Sequence, residues 1–124
     1  KVDKTLNMFV NDAIKYKMES EQVLYFSENC YGTADAIMFR QNFLRIHDLK
    51  TGTTPASMDQ LMIYAPWFFL EYKNRVNFQR TRTELRIYQN QEVIVHTPTN
   101  AEITAVMEKV VHGAALLERY SMEV

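Results

Sequence analysis

Few residues in this chain have the type and spacing that catalysis or metal binding demands. The histidines are His47, His96 and His112, and the cysteine is Cys30. No two histidines stand three or four residues apart, and no His-Glu-x-x-His run occurs, so no helical zinc motif is written in the sequence. A lone thiol excludes a disulfide scaffold and any multi-cysteine metal centre. It suits a reducing compartment and, with nothing basic beside it, reads as inert rather than nucleophilic. His47-Asp48 is an adjacent acid–base pair, but neighbours on a helix point apart, so read on a helix the two do not act as a base and its orienter. The 3 glycines stand alone and form no phosphate-cradling loop. Carboxylate pairs such as Glu19 and Glu21, or Glu71 and Glu84, carry no signature that separates them from solvated surface. On these grounds no catalytic residue, metal ligand or cofactor is assigned, and an enzyme with a dispersed site ranks last.

One segment offers a different chemistry. Between Lys73 and Arg86 lie five basic residues and one acid, a net of +4, whereas the remaining chain sums to -5 and the whole to -1. A neutral total therefore hides a dipolar chain. Lys73, Arg75, Arg80, Arg82 and Arg86 alternate with neutral donors (Asn74, Asn77, Gln79, Thr81, Thr83), and Phe78 and Tyr88 supply stacking faces. Guanidinium forks, amides and aromatic rings in one stretch suit contact with phosphates. The competing reading is a solvated face whose arginines pair with acids elsewhere. A second feature is the aromatic run Tyr64, Trp67, Phe68, Phe69 and Tyr72. It exceeds what one helix face buries, so Trp67, Phe68, Phe69 and Tyr72 are expected at an interface, with a central helix as the alternative.

These residues need elements to hold them. Leu6, Phe9, Val10, Ala13, Ile14 and Met18 recur at helical spacing, and Val23 to Phe26 continues or restarts that helix. Gly32 reads as a helix stop, Thr33 as the next N-cap with Asp35 near its positive end, and Ile37, Met38, Phe39, Phe43, Leu44 and Ile46 as its apolar face. The 50–55 stretch is a loop, with Thr54 and Pro55 as N-cap and first helical residue. Pro66 should kink or interrupt the helix that follows near Tyr64. From 83 to 96 apolar and polar residues alternate, which favours a β-hairpin over continued helix to about Asn90. Thr99 or Asn100 caps a last helix through Leu117, with Gly113 expected to admit a close neighbour.

The resulting expectation is a single mainly α domain over 1–124, a helical bundle of four or so helices with a small hairpin near 83–96. Because it starts at Lys1, the chain is expected to be trimmed or excised from a longer one. The expected function is a small non-enzymatic binding or regulatory protein, a homo-oligomer, intracellular and cytoplasmic, without cofactor or membrane span. Its partner would be nucleic acid or an acidic protein surface met by Lys73, Arg75, Arg80, Arg82 and Arg86. The alternative is a protein–protein adaptor or assembly subunit of viral or mobile-element type.

Overall fold

Ile37, Ile46, Leu85 and Ile87 are strand residues, and they line the centre of a five-stranded sheet. The computed structural model describes residues 2–28 and 30–123, the last four of them as backbone alone. In chain order the elements are α1 (Val2–Lys15), β1 (Glu19–Ser27), β2 (Cys30–Arg40), β3 (Phe43–Leu49), α2 (Asp59–Glu71), a single 3-10 turn (Phe78–Arg80), β4 (Arg82–Gln89), β5 (Glu92–His96) and α3 (Asn100–Glu123). The strands lie in sequence order across the sheet. All neighbours are antiparallel except β3 and β4, which run parallel and are joined through α2.

The mainly α bundle is therefore corrected to an α/β fold. The 33–46 segment expected as a helix is β2 turning into β3. Gln41 and Asn42 reverse the chain with φ of 50° and 60°, the left-handed backbone that a tight hairpin requires. Val23–Phe26 belongs to β1, and Gly32, Thr33 and Asp35 lie inside β2 rather than at helix ends. The alternation over 83–96 does mark paired strands, but β4 and β5 extend the main sheet and form no separate appendage. Thr54 and Pro55 remain in the loop. Helix α2 starts at Asp59 and runs through Pro66 without ending there. Thr99 caps α3, its hydroxyl accepting the Glu102 amide while the Glu102 carboxylate accepts the Thr99 amide. A methyl group added to Gly113 would meet nothing within 4 Å among the described residues, so the close neighbour expected there is not seen.

The two faces of the sheet differ in kind. Leu24, Ile37, Leu44, Ile46, Leu85 and Ile87 point to the side covered by α2, where Leu61, Ala65, Phe68, Phe69 and the α3 residue Ile103 complete the core. The opposite face presents Arg45, His47, Arg86 and Tyr88 to α1. Of the stripe expected to be buried on α1, Leu6, Val10 and Ile14 are exposed, and Phe9 packs edge-on against Tyr88. No helix among the described residues is long and apolar enough to cross a membrane.

Candidate active site

Alternation along β3 sends Leu44 and Ile46 into the core, and Asp48 follows them to the same face. The antiparallel register sets Ala36 opposite His47, so one residue further out Asp35 on β2 comes abreast of Asp48 on β3. Asp48 is 6% exposed, an unusual degree of burial for a carboxylate. Asp35 is half-buried and accepts the Leu49 amide at 2.8 Å. Two residues past Asp48, Lys50 turns its ammonium back to the Asp48 carboxylate at 2.8 Å. Lys50 Nζ also donates to Gln60 Oε1 at 2.9 Å, and Gln60 Nε2 donates to the Tyr64 hydroxyl at 2.8 Å. Gln60 and Tyr64 stand one helical turn apart on α2, so the helix presents both to the strand ends. The Tyr64 ring lies on Gly32 of β2, where a methyl group would come within 2.7 Å of it; only a residue without a side chain admits this approach.

The electrostatics follow from that packing. Burial pushes the Asp48 carboxyl up to about 6, the hydrogen bond with Asp35 adds to the rise, and Lys50 opposes it. The hydrogen bond to Asp48 raises the Lys50 pKa, so Lys50 is a cation. Burial raises Tyr64, which stays a neutral phenol. The cluster thus concentrates two carboxylates and one ammonium at one end of the sheet, with Asp35 disfavouring the ionised form of Asp48. A positive ion between their oxygens would remove that conflict.

Two sets of contacts hold the cluster. The buried Gln89 side chain donates to the carbonyls of Gly52 and Thr54 at 2.8 Å each and accepts the Ala56 amide at 3.0 Å, which shapes the loop leading into α2. Beneath β3, His47 is fully buried beside Asp48. Its Nδ1 lies 3.3 Å from the Tyr88 hydroxyl, which in turn donates to Asp12 of α1 at 2.6 Å. Burial, then the Arg86 and Arg45 guanidiniums, hold its pKa down to about 3, so the ring is neutral.

The residues singled out in the basic segment do not gather at one site, although Arg80 and Arg82 line a common cleft. Lys73 and Arg75 project from the turn after α2, and Arg80 and Arg82 flank the entry to β4; all four are exposed. Arg86 instead points beneath α1, donating to Glu84 at 2.7 Å and lying 3.5 Å from Asp12. Glu84 also pairs with Arg45, whose guanidinium stacks on Tyr16 at 3.8 Å. Of the aromatic set, Phe68 and Phe69 are buried in the core, and Trp67 and Tyr72 are half-buried at its edge. His96 stands 3.7 Å from Glu102. No group of three or more His, Cys, Asp or Glu side chains is gathered to hold a metal among the described residues.

Asp35, Asp48, Lys50, Gln60 and Tyr64 were not singled out from the sequence as a site. The available signal was the run Leu44, Ile46, Asp48, Lys50 at a spacing of two. Read as a strand, it puts an acid and an amine on one face just past two core residues. Read as a helix, it puts them on different faces.

No protein-family model matches the chain, and no curated protein matches it. A solved structure described as the crystal structure of SSO0001 is similar over 87% of this chain at 15% identity, with a TM-score of 0.42. This chain spans 56% of the length of that one.

Proposed function

We propose that this chain is a divalent-cation-dependent phosphodiesterase that cleaves nucleic acid, with Asp35, Asp48 and Lys50 at its centre. The observation that carries the reading is the juxtaposition of two acids on adjacent strands with a lysine two residues beyond the second. Magnesium typically takes one or two protein carboxylates and completes its shell with water and substrate phosphate. Two acids without a third ligating side chain fit that demand and fit a closed zinc site poorly. When bound, such an ion lowers the pKa of a water and neutralises charge on a phosphoryl group.

The residues of the chain divide the remaining work. Asp35 and Asp48 fix where positive charge can sit. Lys50, charged and held by Asp48 and Gln60, faces the negative charge that grows on the phosphoryl oxygens as water attacks phosphorus and the bond to the leaving oxygen breaks. Gln60 and Tyr64 restrict the lysine's rotamers, so its position is set before substrate arrives. The exposed Lys73, Arg75, Arg80 and Arg82 supply sequence-independent attraction for a polyanion, which keeps the nucleic-acid partner expected from the sequence while adding a reaction to it.

The test is hydrolysis of labelled single- and double-stranded DNA and of RNA with magnesium or manganese. Asp48→Asn should lower the rate by about 100-fold or more, the scale of loss when a preorganised charge is removed from a reacting centre. Chelation should abolish the activity. A wild-type protein that cleaves none of these substrates with either cation, or an Asp48→Asn variant of undiminished rate, overturns the reading. A second reading, an adaptor that docks a partner, is favoured by one observation: Trp67, Ile63, Val110 and Leu117 line an apolar groove between α2 and α3.

A further inference from the structure

At the end of β4 far from the carboxylates, a cleft of about 380 Å³ opens between the 3-10 turn and the start of α3. Its lining includes Arg80, Arg82, Thr83, Thr97, Thr99 and Asn100. Three independent features converge on it. Arg80 and Arg82 are exposed and have no ion-pair partner among the described residues, in contrast to Arg86 and Arg45 on the same sheet. The 24-residue helix α3 starts here, and its first amides carry the positive end of the helix dipole. Thr83 is 2% exposed, lines the cleft, and its hydroxyl has no hydrogen-bond partner among the described residues. A buried hydroxyl left without a partner costs about 1–3 kcal/mol, which a ligand reaching it from the cleft would recover.

The surroundings keep this end of α3 open. The Glu102 carboxylate is turned to the Thr99 amide and hydroxyl and does not line the cleft. The Asn100 side chain donates to the carbonyls of Phe78 and Gln79, which ties the 3-10 turn to α3 and fixes the width of the opening.

We infer that this cleft is a phosphodiester-binding subsite, holding the nucleic-acid backbone at a distance from the phosphate that reacts. The inference rests on the proposed hydrolysis of nucleic acid but on different residues. Thr83 pairs with Leu44 and Ile87 pairs with Asp48, so the subsite lies four residues along the strands from the carboxylates. At about 3.3 Å per residue that is roughly 13 Å, or about four base steps of a duplex. Arg80 and Arg82 neutralise the phosphate, Thr83 donates its hydroxyl, and the free amides at the head of α3 supply further donors.

The experiment is anisotropy of a fluorescent 20-nucleotide DNA in EDTA, where binding is read without cleavage, from 50 to 300 mM salt (about four-fifths of a decade). Each phosphate-contacting arginine contributes about one to the slope of log K against log salt, so Arg80→Gln/Arg82→Gln should reduce the slope by about two. Thr83→Val should weaken binding about threefold without lowering thermal stability, because it removes an unpartnered hydroxyl at constant shape. A structural role for Thr83 would show instead as lost stability at unchanged affinity. Wild-type slope and affinity in the double arginine variant overturn the inference, and so does an absence of oligonucleotide binding by the wild type. In amide NMR, DNA should shift the Asn100 and Ala101 signals; shifts with inorganic phosphate and none with DNA would assign the cleft to a free phosphate compound and overturn it. Cleavage assays decide the hydrolysis reading separately: loss of activity in Asp48→Asn with an unchanged slope in the arginine variant leaves that reading standing and removes this one.

Discussion

His47 and Asp48 are chain neighbours on opposite faces of β3, and burial acts on them in opposite senses. The Asp48 carboxyl is raised to about 6 in the fold, so between about 4 and 6 the folded chain holds a proton that the unfolded chain has released. Stability contributed there is present in acid and is lost as pH rises through that window. The His47 imidazole is held down to about 3 against an ordinary 6.5, so the unfolded chain takes up a proton that the folded chain refuses. Its contribution is present above 6.5 and is lost as pH falls toward 3. Between pH 4 and 6 the two slopes oppose each other. Urea denaturation across this range should therefore separate them. Asp48→Asn should leave a protein that loses stability more steeply than wild type on acidification, and His47→Phe one that gains stability, relative to wild type, as pH falls from 6 to 4. If both variants keep the wild-type slope, neither group is buried as described.

At the scale of the element, the fold turns on two short reversals that the sequence does not advertise. Gln41-Asn42 joins β2 to β3 and Asn90-Gln91 joins β4 to β5, all four residues at φ between 50° and 63°. Glycine normally marks such positions, and neither turn has one. Without that mark, Ile37, Met38, Phe39, Phe43, Leu44 and Ile46 satisfy a helical period as well as they satisfy two strands. The last helix was legible because Thr99 and Glu102 form a capping box before a long periodic run, and the 83–96 strands were legible because Thr83, Leu85 and Ile87 alternate with Glu84, Arg86 and Tyr88 and because Val93, Ile94 and Val95 are β-branched. The site shared the fate of its strands. Asp48 and Lys50 signal a common face only at a period of two, and Asp35 meets them only through a register that sequence does not state. The turn account has a direct test. A left-handed backbone costs a residue with a side chain about 1 kcal/mol, and asparagine–glycine is the favoured pair for this geometry. Gln41→Asn combined with Asn42→Gly should raise the free energy of unfolding by about 1 kcal/mol. A lowered midpoint would show that the two residues do not form this turn.

Across the whole molecule the sheet separates two kinds of layer. The α2 side is apolar and merges with α3, whereas α1 is fastened mainly through polar groups: Asp12 to Tyr88 and Arg86, Tyr16 to the arginines, and the Thr5 hydroxyl accepting the Gln91 amide. Phe9 adds an aromatic contact with Tyr88. The outer stripe of α1 is apolar yet exposed, with Leu6 at 41% and Ile14 at 70%. This inverts the usual expectation for an amphipathic surface helix, in which the apolar stripe carries the docking energy. Asp12→Ala removes the 2.6 Å acceptor of the Tyr88 hydroxyl, on a residue with no exposed surface, leaves it only the longer contact with His47 Nδ1, and takes one carboxylate from Arg86. Losing a buried charge-assisted hydrogen bond costs about 1–3 kcal/mol. Leu6→Lys changes an exposed position and should stay within about 0.5 kcal/mol of wild type. Denaturation of the two variants side by side should therefore rank the charged residue above the leucine. Hydrogen exchange should show why: in Asp12→Ala the α1 amides should lose protection before those of β3 and β4, because the helix detaches from a sheet whose other face is intact. If Leu6→Lys is the more damaging change, α1 is docked by its apolar stripe, and the polar layer beneath it is not what holds β3 and the Asp48 carboxylate it carries in place.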